Sequence, residues 1–125
     1  MIKKLKVTLL VLTMIFGLVG TLTVAFAGEE FNMVTVSSSW TTIATDSEGF
    51  GCNVKITGRL TSAGKRIDVR MLGKNNNVLW SENDSCPGLS SRVYICGTDV
   101  YKIQVRVDSG VSGTAIALKT SEPAN

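Results

Sequence analysis

From Phe31 onward the chain alternates apolar and polar residues with a period of two. The clearest run is Tyr101-Lys102-Ile103-Gln104-Val105-Arg106-Val107-Asp108, with every odd position apolar or aromatic and every even position polar or charged. A strand places successive side chains on opposite faces, so this run predicts one dry face and one wet face. Cys52-Asn53-Val54-Lys55-Ile56-Thr57 and Arg66-Ile67-Asp68-Val69-Arg70-Met71 repeat the arrangement, the first opening a strand that extends to Leu60 and the second one that extends to Leu72. Less regular strands are predicted at Phe31–Val36, Trp40–Thr45, Val78–Glu82, Arg92–Cys96 and Thr114–Thr120.

Turn chemistry separates these runs at Thr61-Ser62-Ala63-Gly64, Gly73-Lys74-Asn75-Asn76-Asn77, Ser85-Cys86-Pro87-Gly88 and Asp108-Ser109-Gly110. Each holds Gly or Asn, the residues that tolerate positive φ. About eight short strands with turns between them predict a single all-β domain, an antiparallel β-sandwich of jelly-roll or Greek-key kind. Val78-Leu79-Trp80 is apolar on both faces, which suits a sheet edge or an interaction surface. In its Tyr101–Val107 strand, followed by Gly110 and a final apolar strand, the layout resembles the small β-sandwich modules of exported bacterial proteins. That resemblance is architectural and carries no function.

Residues 1–27 break the pattern. Lys3, Lys4 and Lys6 precede an apolar stretch from Val7 to Leu18, and Ala25-Phe26-Ala27 places small residues before Gly28. A charged start, an apolar centre and an A-x-A end in that order predict a secretory signal helix that is removed on export. A retained anchor is the alternative. Cleavage leaves a secreted or envelope-exposed domain of residues 28–125 with no membrane attachment.

Export changes the charge argument. The whole chain carries 13 Lys and Arg against 10 Asp and Glu, and three of the lysines lie in residues 1–27, so 10 basic and 10 acidic residues remain. A net charge of zero gives no bulk attraction to nucleic acid or anionic lipid, and neither partner is expected. The chain has no histidine. Ser-His-Asp and Cys-His schemes, His-ligated zinc and the usual near-neutral general base are therefore absent.

Three cysteines enter an oxidising compartment, which predicts one bridge and one leftover thiol. Successive antiparallel strands end at opposite poles of the domain. Counting along them puts Cys52 and Cys96 at one end and Cys86 at the other, which favours a Cys52–Cys96 disulfide; Cys86–Cys96 is the second choice. Cys86, in a Pro-Gly turn, is then expected to be an exposed free thiol. As function it would be a reactive thiol or the link of a Cys86-bridged dimer. An inert thiol tucked under the loop is weighed above either.

Trp40 and Trp80 are candidates for a flat ligand platform, weighed against the commoner use of tryptophan as core. Asp46-Ser47-Glu48 and Glu82-Asn83-Asp84 each gather acidic oxygens, too few for calcium without help from a second loop, so no metal site is assigned. Paired carboxylates could hydrolyse glycosides without histidine, but nothing in the spacing sets two across a cleft. Asn83-Asp84-Ser85 fits the glycosylation sequon only formally. The resulting expectation is a non-enzymatic exported module without cofactor, acting by binding a protein or carbohydrate or by assembly. A secreted toxin or membrane-active β-protein is the alternative, and a His-free hydrolase the remotest.

Overall fold

The computed structural model describes residues 22–26 and 29–124, with side chains for residues 31–124. Nine strands follow one another: β1 (Leu22–Phe26), β2 (Glu29–Thr35), β3 (Thr41–Thr45), β4 (Cys52–Leu60), β5 (Arg66–Leu72), β6 (Val78–Pro87), β7 (Ser91–Cys96), β8 (Lys102–Arg106) and β9 (Gly113–Thr120). No helix occurs among the described residues. Eight strands form two antiparallel sheets of four, ordered β2-β9-β4-β7 and β3-β8-β5-β6. β1 extends the first sheet, pairing with β2 from Leu22↔Met33 to Phe26↔Glu29.

The eight predicted strands are all present. The signal helix fares differently. Residues 1–21 lie outside the described part, and the end of the predicted signal, Leu22–Phe26, is a strand. Thr23, Val24 and Phe26 have strand-forming side chains, and the edge of β2 supplies backbone partners.

Alternation decides which side chains form the core. Val54, Ile56 and Leu60 of β4 face inward, as do Ile67, Val69 and Met71 of β5 and Ile103 and Val105 of β8. Together with Val34, Ile43 and Tyr94 they make one cluster fed by both sheets. Ile56, Ile67, Val69, Ile103 and Val105 are fully buried. Each such side chain contributes about 1.5–3 kcal/mol relative to exposure. β9 inverts the usual sizes. Its inward residues are Ala115 and Ala117, while Ile116 and Leu118 face outward and remain half-exposed.

β6 runs five residues beyond its predicted end. The turn predicted at Ser85–Gly88 lies instead at Gly88-Leu89-Ser90. The cause is a bulge opposite Asp68: Ile67 pairs with Cys86 and Val69 with Glu82, so residues 83–85 share a single partner position. Asp84 takes a left-handed φ of 54° there. Asp and Asn tolerate that region better than most residues.

Asp68, 7 % exposed, holds the bulge. Its Oδ1 accepts the Asp84 backbone N–H at 2.9 Å and its Oδ2 accepts Arg106 Nε at 3.0 Å. Arg66 Nε donates to the Asp84 carbonyl at 2.7 Å from the other side. Loss of the carboxylate would leave the Asp84 N–H and the Arg106 guanidinium without their acceptor. Asp68→Ala is therefore expected to lower unfolding free energy by about 2–4 kcal/mol, and Asp68→Asn by about half as much. Urea denaturation measures both, and a loss below about 0.5 kcal/mol for Asp68→Ala would contradict the assignment.

Candidate functional site

The two tryptophans do not form a common platform. Trp40 lies on the outer face of the β3-β8-β5-β6 sheet, with the Arg70 and Arg106 guanidinium carbons 4.4 and 4.3 Å from its ring centroid. Arg70 Nε donates to Gln104 Oε1 at 2.8 Å, and Gln104 Nε2 donates to Thr42 Oγ1 at 3.0 Å, so this face is knitted to itself. Trp80 pairs with core residue Met71 and packs on the inner side, edge-on to Tyr94 at 5.8 Å and 61°. The sheet separates them.

The acidic clusters are also engaged within the fold. Asp46 Oδ2 meets Lys119 Nζ at 2.7 Å and its Oδ1 accepts the Glu48 N–H at 3.0 Å. The Lys119 hydrogen bond, aided by the Glu48 N–H, holds the Asp46 carboxyl below its usual range. Glu82 lies 4.0 Å from Arg92 across the gap between the sheets. No group of three metal-ligating side chains occurs among the described residues.

Cys52 and Cys96 are partners directly opposite one another in the β4–β7 ladder, both on the inner face. The expected bridge is nonetheless not formed in this structure, where all three cysteines carry thiols. Burial, with the Cys52 side chain adding repulsion, pushes the Cys96 thiol up to about 12.

Cys86 departs from expectation. It is neither exposed nor in a turn: the bulge keeps it in β6 with 0 % exposure. Its Sγ donates to the Ile56 carbonyl at 3.3 Å. Beside it Ser85 Oγ shares a 2.8 Å hydrogen bond with Tyr94 Oη, and Arg92 donates to both oxygens of Ser85, at 3.0 and 3.1 Å. Burial pushes the Cys86 thiol up to about 11 despite the Tyr94 hydrogen bond and the nearby arginines, and pushes the Tyr94 hydroxyl up as well. A thiol in this setting is a poor nucleophile and cannot reach a second molecule without opening of the strand.

The site that sequence reasoning missed lies on the outer face of the β2-β9-β4-β7 sheet. Phe31, Ile116 and Leu118 supply an apolar stripe there, and Leu89 from the β6–β7 turn, 60 % exposed, walls one side. Lys55, Thr57 and Arg59 stand along β4 beside the stripe; Ser90 and Ser91 complete the wall. Together they line an open groove of about 520 Å³. Pairing explains the grouping, since Phe31 is opposite Leu118, Leu118 opposite Lys55, and Ile116 opposite Thr57. Lys55 Nζ also contacts Glu122 Oε1 at 3.0 Å. The alternating Ala115-Ile116-Ala117-Leu118 was a usable signal, because alanines on one face leave the bulky residues for the other.

The raised thiol predicts slow chemistry at Cys86. At pH 8 its alkylation by iodoacetamide in the folded protein should be about a hundredfold slower than in the urea-unfolded chain, rising about tenfold per pH unit. Peptide mapping after timed labelling measures this, and folded and unfolded rates within about threefold would contradict the burial. In comparison with known proteins, no protein-family model, no curated sequence and no solved structure matches this chain.

Proposed function

We propose that the protein is an exported, non-enzymatic jelly-roll β-sandwich that binds an extended polypeptide segment across the outer face of its β2-β9-β4-β7 sheet. The observation that carries this reading is the groove, apolar along Phe31, Ile116 and Leu118 and charged only by Lys55 and Arg59. A half-exposed apolar stripe on a sheet face costs solubility unless something covers it. Glu122 already offsets Lys55, so Arg59 carries the groove's preference for an acidic segment. The strand order β2-β9-β4-β7 and β3-β8-β5-β6 supports the jelly-roll description. The lack of histidine supports a binding role over hydrolysis.

A strand-forming peptide of alternating Leu and Glu is the direct probe. Leu118→Ser and Arg59→Glu should each weaken its binding by about tenfold in a fluorescence titration. Binding unchanged by both substitutions would overturn the reading. Displacement of the peptide by soluble oligosaccharides would move the ligand class to carbohydrate. Leakage of anionic vesicles on adding the purified protein would favour a membrane-active role.

Export also implies a covalent step. Directly opposite residues in an antiparallel pair have Cβ atoms about 4.5–5.5 Å apart, wider than the ~3.5–4.5 Å of a disulfide, so bridging Cys52 and Cys96 would draw β4 and β7 together there. Cys52 is the more exposed of the pair and meets the oxidant first. A protein disulfide of the exported compartment takes two electrons and two protons from the Cys52 and Cys96 thiols: an S–S bond forms between their sulfurs, and the oxidant's S–S bond breaks to give two thiols. Mass spectrometry of the exported chain should find it two hydrogens lighter than the reduced form, with Cys52 and Cys96 in one linked peptide. Alkylation of all three cysteines without prior reduction would sink this step.

A further inference from the structure

The two sheets finish their edges differently. In β3-β8-β5-β6 both edge pairings are interrupted, β3–β8 between Thr42 and Ala44 and β5–β6 at two places. β6 also carries Glu82, Asp84 and Pro87. Bulges, charges and proline are the devices that stop an edge from accepting another strand. The sheet of β2, β9, β4 and β7 has neither bulge nor proline in its strands; the charges on its two margins are Glu29 and Glu30 of β2 and Arg92 of β7, which are opposite in sign. β4 pairs β7 without a shift from Cys52↔Cys96 to Thr57↔Ser91, and β2 pairs β9 without a shift from Phe31↔Leu118 to Thr35↔Thr114. β7 forms one edge and presents Ile95, 72 % exposed, on the outer face. The other edge, β2, is covered by β1.

We infer that β1 is a removable cap, and that the edge of β2 it covers receives β7 of a second copy once residues 1–27 are cleaved. This rests on the export reading. Strand direction supports it. Along β2, β9, β4 and β7 every pairing is antiparallel, so β2 and β7 run in opposite directions. A second copy in the same orientation thus brings its β7 antiparallel to β2 without any rotation, in the direction that β1 takes. With β1 retained the sheet has five strands, and β1 and β7 run the same way; the same translation would then set parallel strands together. Side-chain alternation agrees as well. Ile95 faces outward like Phe31 and Met33, so a register placing Ile95 opposite Phe31 keeps apolar side chains adjacent on one face. Such a contact joins two different edges, does not close on itself, and repeats from copy to copy.

The experiment produces the full chain in a secreting host, fixes the N-terminus of the exported form by mass spectrometry, and follows its sedimentation across a hundredfold concentration range. The processed wild type should form a ladder of oligomers that lengthens with concentration. Ile95→Lys, which charges the β7 edge, and Met33→Lys, which charges the β2 edge, should each remain monomeric with an unchanged β-sheet spectrum. Each variant retains one sound edge, so mixing the two should give heterodimers and nothing larger. A chain of verified N-terminus near Gly28 that stays monomeric throughout overturns the inference alone. Equal assembly of wild type and both variants also overturns it. A recovered chain that still begins at Met1 overturns the export reading and the inference with it.

Discussion

A one-residue slip in β4 would turn Val54, Ile56 and Leu60 out to water and drive Lys55 and Arg59 into the core. That penalty is the constraint on which the rest of the molecule depends, because β4 is paired on both sides, with β9 and with β7. Its register fixes which face of each neighbour points inward. Among the eight strands of the two four-stranded sheets, every connection except β5–β6 passes from one sheet to the other. The alternation in each strand is therefore tested against partners distant in sequence. Several kcal/mol of apolar burial rides on each correct choice, and burying two cations would add to the loss.

That coupling explains why the strands were legible and the site was not. Tyr101–Asp108 and Cys52–Thr57 declare a period of two without reference to any other part of the chain, and both became strands with the expected inward residues. Local alternation separates two faces but does not rank them. β9 is the instructive case: its alanines are buried and its Ile116 and Leu118 are not, because the inner side faces a core already filled from the opposite sheet. Only the assembled sheet brings those two residues beside Phe31 of β2 and Lys55 and Arg59 of β4. The groove is a property of pairing.

The bulge at Asp68 accounts for the chief misreading. Ser85-Cys86-Pro87-Gly88 looks like a turn, and three of its four residues are turn formers. Asp68 and Arg66 instead grip residues 84 and 85 and hold the chain in the sheet, which turns Ser85 toward Tyr94 and Cys86 into the core. Neither Asp68 nor Arg66 lies near that segment in sequence, so no local pattern could disclose the grip. Cys52 and Cys96, which strand counting sets at one end of the domain, are register partners in the β4–β7 ladder, and no disulfide joins them in this structure.

The edges complete the picture physically. Where the bulge interrupts β6 it also spoils that edge for another strand, so the device that buries Cys86 protects one sheet from association. The β2-β9-β4-β7 sheet has regular ladders and no such device. Regularity is what its groove needs, since Phe31, Leu118 and Lys55 share a row only if the registers run unbroken. An unbroken ladder also extends to both margins, and there it leaves backbone donors and acceptors seeking partners. On one margin β1 supplies them. That strand lies within the predicted export segment, so the proposed cleavage would uncover a margin that is paired in the full chain. The proposed ligand face and the proposed assembly edge would thus draw on the same regularity, which the bulged sheet lacks.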